Sequence, residues 1–268
     1  MALLDVEGVT VNFGGLRALD DVDLDVAAGS VTGLIGPNGA GKTTMFNVIC
    51  GFQTTSTGCV RLEGRDMAGV RPHQRTRLGV ARTFQRLEVF GSLSVRENVL
   101  VAAEVHRQWD KTGDPPQEVA DALIDRIGLR AVAKRRVDAM PTGIARLVEL
   151  ARALASQPKV LLLDEPSSGL DEHESDEFAA LLPELAAEGL GILLVEHDVE
   201  LVMKVCALIH VLDFGSILAV GTPAEIQRNK TVQAAYLGGG VDLDEVAAHS
   251  GNGNGKGKTR PKQRTSRR

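Results

Sequence analysis

Few cysteines and no long apolar run are the first features of this sequence. Its three cysteines, Cys50, Cys59 and Cys206, have the spacing of neither a disulfide framework nor a zinc site, so we interpret them as reduced thiols. The longest apolar candidate, residues 190–195, is far shorter than the roughly 20 residues of a membrane-spanning helix. Acids within residues 1–7 come too early for a secretory signal. We therefore expect a cytoplasmic protein that reaches a membrane only through a partner.

Composition and charge narrow the protein class further. The 268 residues are 43% hydrophobic and 24% charged, as in a soluble protein with one large domain. The net charge is −5, yet residues 252–268 contain seven basic residues and no acid, so the rest of the chain has a formal charge of −12. An acidic body argues against a nucleic-acid surface. Residues 239–268 predict a flexible, low-complexity basic tail, with contact to anionic lipid or RNA as the alternative to a solvated appendage.

The strongest local signal is a phosphate-loop pattern at residues 36–44. Before it, the apolar residues 31–35 predict a buried strand, and after it residues 44–49 predict a helix. In this context glycines let backbone N–H groups converge on an anion, and the helix N-terminus adds a favourable dipole. The predicted nucleotide-binding residues are Gly36, Pro37, Asn38, Gly39, Ala40, Gly41, Lys42, Thr43 and Thr44.

Two side chains of this loop have predicted chemical roles. Lys42 would reach the β- and γ-phosphates of a nucleotide, and the Thr43 hydroxyl would bind Mg²⁺. The alternative is a glycine-rich turn that carries a lysine by chance. The flanking strand and helix make this alternative the weaker interpretation, so the sequence predicts a nucleotide-binding protein.

Acids and a histidine follow two further predicted strands. Asp164 and Glu165 come directly after the aliphatic residues 160–163, and His197 follows residues 191–195. The carboxyl ends of parallel strands share one edge of a sheet, where open α/β folds place their sites. Asp164 is suited to bind Mg²⁺ through water, and Glu165 to act as a base or to orient the attacking water. His197 would contact the γ-phosphate, with a purely structural histidine as the alternative.

The remaining pattern predicts further elements around this core. Residues 3–28 alternate as antiparallel strands do, and residues 80–85 predict a strand that ends in a glutamine. Residues 86–145 predict an inserted helical lobe that includes a basic, helix-compatible stretch at 130–137. A helix is predicted over residues 146–154.

In this order the motifs resemble the ATP-binding subunit of an ABC transporter, from Leu4 to Gly238. The resemblance implies an α/β fold: a P-loop NTPase core with a mainly parallel sheet, an N-terminal antiparallel β subdomain and an inserted α-helical subdomain. It places the ATPase domain at residues 1–238, with the helical subdomain at 86–145. It also implies ATP and Mg²⁺ as ligands and ATP hydrolysis as the activity.

The resemblance adds roles residue by residue. Phe13 matches the aromatic position that stacks on adenine, although position alone would suggest a core phenylalanine. Gln85 matches the Q-loop glutamine, a catalytic and Mg²⁺-binding position, and Asp171 belongs to the D-loop, which meets nucleotide. Lys42, Glu165 and His197 complete the implied catalytic set, while Thr43, Gln85 and Asp164 are the implied metal ligands.

The signature segment departs from the family pattern. Leu-Ser-Gly-Gly-Gln falls on residues 140–144, Met-Pro-Thr-Gly-Ile. Gly143 is retained and Thr142 offers a displaced hydroxyl, so both stay predicted nucleotide contacts. Pro141 replaces the serine and lacks both a hydroxyl and an N–H. Because signatures act in trans, we expect the altered site to be the one built on the partner's phosphate loop, which gives two unequal sites in a heterodimer.

Finer similarity points to the branched-chain (hydrophobic) amino-acid uptake ATPases. It is carried by four stretches, residues 13–19, 46–52, 81–85 and 235–238. The resemblance implies a dimer with itself or a paralogous ATPase, two transmembrane permeases, and indirectly an extracellular solute-binding protein. Residue Gln85 and residues 86–98 would receive the permease's coupling helix at the cytoplasmic side of the plasma (inner) membrane.

Two alternative functions remain open at this stage. A lipid or polysaccharide exporter has a similar ATPase. A soluble ABC ATPase that acts on ribosomes or nucleic acid would usually carry two ATPase domains or a long coiled-coil insertion, whereas this chain has one phosphate loop and a short insertion. We expect no nucleic-acid partner.

Overall fold

The computed structural model describes residues 2–237, and the tail predicted at residues 239–268 lies outside this range. Within the described residues the chain forms two β-sheets with helices packed around them. Not one of these helices combines the length and the apolar character that crossing a membrane requires.

The elements are numbered in chain order. The strands are β1 Leu4–Phe13, β2 Leu16–Val26, β3 Val31–Ile35, β4 Thr57–Leu62, β5 Arg65–Asp66, β6 Val80–Arg82, β7 Val160–Asp164, β8 Gly191–Val195, β9 Leu208–Asp213 and β10 Ser216–Gly221. The helices are α1 Lys42–Cys50, α2 Pro72–Arg77, α3 Val95–Trp109, α4 Pro116–Arg126, α5 Thr142–Leu154, α6 Glu172–Ala187, α7 Val199–Val205, α8 Pro223–Arg228 and α9 Lys230–Leu237. Short 3-10 turns lie at Arg130–Val132 and Val137–Ala139.

The smaller sheet is antiparallel, with strand order β2-β1-β4-β5. Its alternating sequence explains its burial, because successive side chains of a strand point to opposite faces. Along β2, Val22, Leu24 and Val26 are buried, whereas the intervening Asp23 is exposed. The antiparallel structure predicted for residues 3–28 is therefore confirmed.

The larger sheet has the order β10-β9-β3-β8-β7-β6, and all neighbours except β10 and β9 run parallel. Every residue of β3, β7 and β8 is buried. Strands covered by helices on both faces have this continuous apolar character. Their carboxyl ends lie at one edge, where the phosphate loop, Glu165 and His197 follow. The predicted α/β fold class with a mainly parallel sheet is confirmed.

The loop before α3 is fixed by a cap and a buried amide. Ser94 and Glu97 cap the helix reciprocally: Glu97 N donates to Ser94 Oγ at 3.2 Å, and Ser94 N donates to Glu97 Oε2 at 2.8 Å. The fully buried Asn98 side chain accepts a hydrogen bond from Phe90 N at 2.8 Å and donates to Phe90 O at 2.9 Å. These bonds hold the segment that follows Gln85 against the helical region.

Two predicted element boundaries and one predicted helix-compatible stretch differ from the structure. The strand predicted over residues 80–85 ends at Arg82, and the helix predicted from residue 146 already begins at Thr142, after Pro141. Residues 130–137 do not form a helix but include a 3-10 turn. This segment instead pairs with the start of α3: the carbonyls of Ala133 and Arg135 accept hydrogen bonds from Arg96 N and Val95 N, and Val137 N donates to Leu93 O.

Candidate functional site

The phosphate loop connects β3 to α1 and packs tightly against its surroundings. Gly41, the N-cap of α1, has φ 114°, and a Cβ there would lie 2.7 Å from Ala18 O. A Cβ on Gly36 would lie 2.0 Å from Leu212 O. Gly41 has no side chain that could cap the helix, so the first N–H groups of α1 are available to bind an anion. Glycine is therefore required at both positions by the path of the loop.

Lys42 is the buried cation of this loop. Its Nζ donates to Gly36 O at 2.5 Å and to Pro37 O at 3.0 Å. Burial lowers the pKa of Lys42, while the charges of Glu165 and Asp164 partly oppose that shift. The Lys42 ammonium is held by carbonyl oxygens and faces two carboxylates. Phosphate oxygens can replace these carbonyl contacts when a nucleotide binds.

Glu165 is the centre of a hydrogen-bonded cluster at the sheet edge. Its Oε1 lies 2.9 Å from His197 Nε2, and its Oε2 accepts a bond from Gln85 Nε2 at 3.1 Å. The backbone of Glu165 has φ 50°, a conformation uncommon for non-glycine residues and enriched at functional sites. The side chain is 19% exposed, so the carboxylate is partly sheltered yet open to a water molecule.

Behind this cluster, Glu196 holds two turns together. Its carboxylate accepts bonds from Ser167 N at 2.8 Å and from His197 N at 3.1 Å. Burial raises the pKa of Glu196, although these bonds oppose the shift. Glu196 thus fixes the backbone of His197 relative to the turn after Glu165, a role that the sequence pattern did not reveal.

A cavity of about 500 Å³ joins these groups. The predicted residues that line it are Phe13, Asn38, Gly39, Ala40, Gly41, Lys42, Thr43, Thr44, Gln85, Asp164, Glu165 and His197. Gly36 and Pro37 are not in this lining, but their carbonyl oxygens accept hydrogen bonds from Lys42 Nζ. The structure thus brings together all the predicted catalytic and metal-binding side chains of the chain.

Three exposed apolar side chains also line this cavity. Phe13 is 49% exposed, Leu16 is 67% exposed and Phe214 is 90% exposed. The prediction from sequence included Phe13 but missed Leu16 and Phe214. Phe214 lies in the turn between β9 and β10 with φ 43°, and Gly215 beside it donates to Ala40 O at 2.9 Å. The sequence signal that could have identified Phe214 is Asp-Phe-Gly, a pattern that places an aromatic residue in an exposed tight turn.

Thr142, Gly143 and Asp171 lie elsewhere: within the described residues, the cavity lining contains none of them. Thr142 and Gly143 begin α5, and Asp171 caps α6 by accepting a bond from Glu174 N at 2.8 Å. A Cβ on Gly143 would lie 2.5 Å from Glu174 Oε2, so this carboxylate is next to the glycine. We call these three residues the signature face.

The oxygen donors of the cavity fit a magnesium ion. Thr43 offers a hydroxyl, Asp164 a carboxylate and Gln85 an amide carbonyl, and all three line the same space. Hard oxygen ligands of this kind, supplemented by water and phosphate, are what Mg²⁺ binds in proteins. The donor set is therefore compatible with the predicted metal.

Comparison with known proteins also indicates a nucleotide-binding protein. The family model described as ABC transporter matches residues 19–168, and the one described as Branched-chain amino acid ATP-binding cassette transporter matches residues 216–242. The chain is 38% identical over 249 residues to the high-affinity branched-chain amino acid transport ATP-binding protein BraF of Pseudomonas aeruginosa, with 88% of this chain and 98% of that protein covered. It is 39% identical over 251 residues to Escherichia coli LivG, a protein of the same description, with the same coverage.

A relative from an export system and a solved structure are also similar to this chain. The lipopolysaccharide export system ATP-binding protein LptB of Haemophilus influenzae is 33% identical over 238 residues, which covers 89% of this chain and 98% of that protein. A nucleotide-free ATP-binding cassette from an ABC transporter superposes with a TM-score of 0.79 at 29% identity, over 88% of this chain and 99% of that chain. As the resemblance in sequence predicted, the chain belongs to the ABC transporter family, as one of its nucleotide-binding, ATP-hydrolysing cassettes.

Proposed function

We propose that this chain is the ATPase subunit of an importer that couples ATP hydrolysis to uptake of branched-chain or other amino acids, or of similar small polar solutes. The observation that carries the proposal is the cluster of Gln85, Glu165 and His197 on the phosphate-loop cavity. Uptake of amino acids is supported by the similarity to BraF and LivG, which are branched-chain amino acid transport proteins. LptB supports the exporter alternative at lower identity.

In this proposal ATP occupies the 500 Å³ cavity with its phosphates on the loop. The N–H groups at the start of α1 and the Lys42 ammonium hold the β- and γ-phosphates. The adenine lies against Phe13, and Phe214 offers a second aromatic surface at the same end. Thr43, Asp164 and Gln85 would hold Mg²⁺, which would supply positive charge to neutralise the phosphates.

Hydrolysis in this proposal is the work of Glu165 and its two partners. Glu165 accepts a proton from the attacking water or orients that water toward the γ-phosphorus. His197, held 2.9 Å from Glu165, fixes the carboxylate and contacts the γ-phosphate. Gln85 lies 3.1 Å from the other carboxylate oxygen of Glu165. In this proposal its contacts change when ATP binds, and this change moves the segment that follows Gln85.

The signature face would act on the cavity of a second ATPase subunit, a paralogue or a second copy. The Gly143 N–H, near the start of α5, is suited to bind the partner's γ-phosphate, and Pro141 provides no side-chain cap that competes for such N–H groups. Glu174 beside Gly143 places a negative charge near that phosphate. With the signature serine replaced by Pro141, the partner's site would be the weaker one, which supports two unequal sites.

The coupling helix of one of the two permeases would dock on Gln85 and residues 86–98 of this chain. A cavity of about 260 Å³ lies there, lined among others by Phe84 and Glu88. From α5, Arg146 donates to Phe84 O at 2.7 Å and to Gln85 O at 2.5 Å, and Glu149 accepts a bond from Phe84 N at 3.1 Å. A permease helix that moves this segment would therefore move Gln85 and α5 together.

The proposed location is the cytoplasmic side of the plasma (inner) membrane, held there by the permeases. The proposed domain limits are 1–238 for the ATPase, with the helical subdomain at 86–145 and the basic tail at 239–268. A solute-binding protein outside the membrane would supply the solute. Neither the tail nor the acidic body is assigned a nucleic-acid partner.

The test is to purify a tagged form of the chain from detergent-solubilised membranes with ATP and Mg²⁺, and to identify the proteins that co-purify. Two permeases, a second ATPase and a solute-binding protein are the expected result. Recovery with permeases of an export system would favour the LptB-like alternative. Recovery only in the soluble fraction, with ribosomal proteins or RNA, would contradict a role in transport.

A further inference from the structure

A buried arginine lies against the carboxylate proposed to bind magnesium. Arg82 ends β6 and Asp164 ends the neighbouring strand β7. Arg82 Nη2 donates to Asp164 Oδ2 at 2.7 Å, and only 7% and 6% of the two side chains are exposed. Solvent therefore screens this ion pair weakly, and without Arg82 the buried carboxylate would lose the cation that is hydrogen-bonded to it.

Arg82 is fixed on its other sides as well. Its Nη1 donates to Asn47 Oδ1 at 2.7 Å, from the middle of α1. Its guanidinium carbon lies 5.2 Å from the ring centre of Phe46 and 5.0 Å from that of Phe84. Two aromatic rings and an amide hold the cation through cation–π and hydrogen-bond contacts. The guanidinium is therefore positioned independently of Asp164, so it can dictate the orientation of that carboxylate.

We propose that Arg82 is a positioning residue that orients Asp164 and thereby sets how strongly Mg²⁺ increases the affinity for ATP. The inference rests on the proposed function, because it requires ATP and Mg²⁺ in this cavity. Arg82 binds Oδ2, which leaves Oδ1 as the oxygen of Asp164 for the metal and its water. A carboxylate oriented before the metal arrives loses less rotamer entropy on binding it.

The experiment measures the dissociation constant of ATP for Arg82→Gln by calorimetry, once with EDTA and once with Mg²⁺. All chains carry Glu165→Gln, so that turnover does not consume the ligand. We expect the Mg²⁺-induced gain in affinity to fall by about tenfold relative to the parent, the size of one charge-assisted hydrogen bond. The affinity in EDTA is expected to stay as in the parent, because Arg82 does not touch the phosphate loop.

Arg75 provides a matched control. Arg75 is buried and also contacts α1, but within the part of the chain that the structure describes its guanidinium donates to backbone carbonyls alone, among them Val48 O at 2.8 Å and Ile49 O at 2.7 Å. Arg75→Gln is expected to lower thermal stability and to leave the Mg²⁺ effect unchanged. Arg82→Lys keeps the charge but not the fork that reaches Asn47 and Asp164 together, so its Mg²⁺ effect should be intermediate.

Each outcome decides the matter. An unchanged Mg²⁺ effect in both Arg82 variants overturns the inference, and Arg82→Lys alone decides it if Arg82→Gln does not fold. Equal losses in EDTA and in Mg²⁺ also overturn it, because they assign Arg82 to the fold or to the nucleotide. If the parent itself gains no affinity from Mg²⁺, the proposed magnesium site fails together with the inference. A gain in the parent that persists in the variants refutes only the role of Arg82.

Discussion

The phosphate-loop cavity and the signature face differ in how much of each is assembled within one chain. In the cavity, residues from the ends of β6, β7 and β8 already contact one another, and Glu165 is bonded to both Gln85 and His197. On the signature face, Gly143 lies in the first turn of α5, whose N-cap residue Pro141 supplies no side-chain cap. The cavity is preorganised, whereas the face presents helix N–H groups that another molecule can bind.

The two regions also differ in charge. The cavity contains the Lys42 ammonium between the loop carbonyls and the acids, and a nucleotide can replace those contacts. The signature face has the carboxylate of Glu174 next to Gly143, where a phosphate would have to approach. From this difference we propose that the chain binds nucleotide in its own cavity and contributes more weakly to a second cavity.

The largest effect is expected from Glu165→Gln, which tests the cavity. Loss of the carboxylate should lower ATP turnover of the assembled transporter by about 10²- to 10⁴-fold, the contribution of a general base, and leave ATP binding intact. Turnover assays with calorimetric ATP binding measure both quantities. Glu172→Gln, an exposed change on α6, is the control that should keep full turnover.

The same substitution also tests whether the two sites are unequal. Glu165→Gln in this chain should reduce turnover more than the matching substitution in the partner ATPase, because the partner's cavity receives the altered signature. Equal reductions would undermine the unequal-site proposal. Turnover that stays near the parent value in Glu165→Gln would instead remove Glu165 from the catalytic role.

A smaller effect is expected from Gly143→Ala, which tests the signature face. The new methyl group meets Glu174 Oε2 and displaces the proposed N–H donor, so turnover should fall by about 10²-fold, the scale of losing one preorganised donor. ATP affinity of the isolated chain should not change, because Gly143 does not line the cavity. A weaker ATP affinity in the isolated chain would break the distinction between the two regions.

Most of the cavity could be predicted from the sequence because its signals are local. The phosphate loop is one contiguous pattern, and Asp164, Glu165 and His197 follow buried strands whose ends must share an edge. The contacts of Arg82 with Asp164 and of Glu196 with Ser167 could not be predicted, since they depend on strand register and on which turns meet in space. The start of α5 at Thr142 was also missed: Pro141, its N-cap residue, lies in the segment that departs from the expected signature.

A still smaller effect is expected from Phe214→Asn, which separates base binding from phosphate binding within the cavity. Loss of one aromatic surface should weaken ATP binding by about three- to tenfold. Asparagine tolerates the positive φ of this turn, so the hairpin and its bond from Gly215 to Ala40 should persist. Calorimetry with ATP and with inorganic tripolyphosphate, which has no base, makes the distinction. Equal losses for both ligands would mean that Phe214 supports the loop and does not contact the base.

The smallest effect, on the pH dependence of stability, is expected from a substitution of His210, a buried residue of β9. Burial lowers the pKa of His210, partly opposed by Asp25, whose Oδ1 lies 3.9 Å from Nε2. The unfolded chain, with an ordinary histidine pKa of about 6.5, therefore takes up the proton at higher pH than the folded chain does. The stability contributed by neutral His210 is complete above that pH and is lost as the pH falls toward the folded pKa.

Replacing His210 with methionine removes this titration and keeps an apolar side chain in its place. Between pH 7.5 and 5.5, on the order of one unit either side of the ordinary histidine value, the Tm of the parent should fall by a few degrees more than that of His210→Met. Other titrating groups are common to both proteins and cancel in the difference. Parallel pH profiles for the two proteins would show that His210 is protonated without cost in the folded chain.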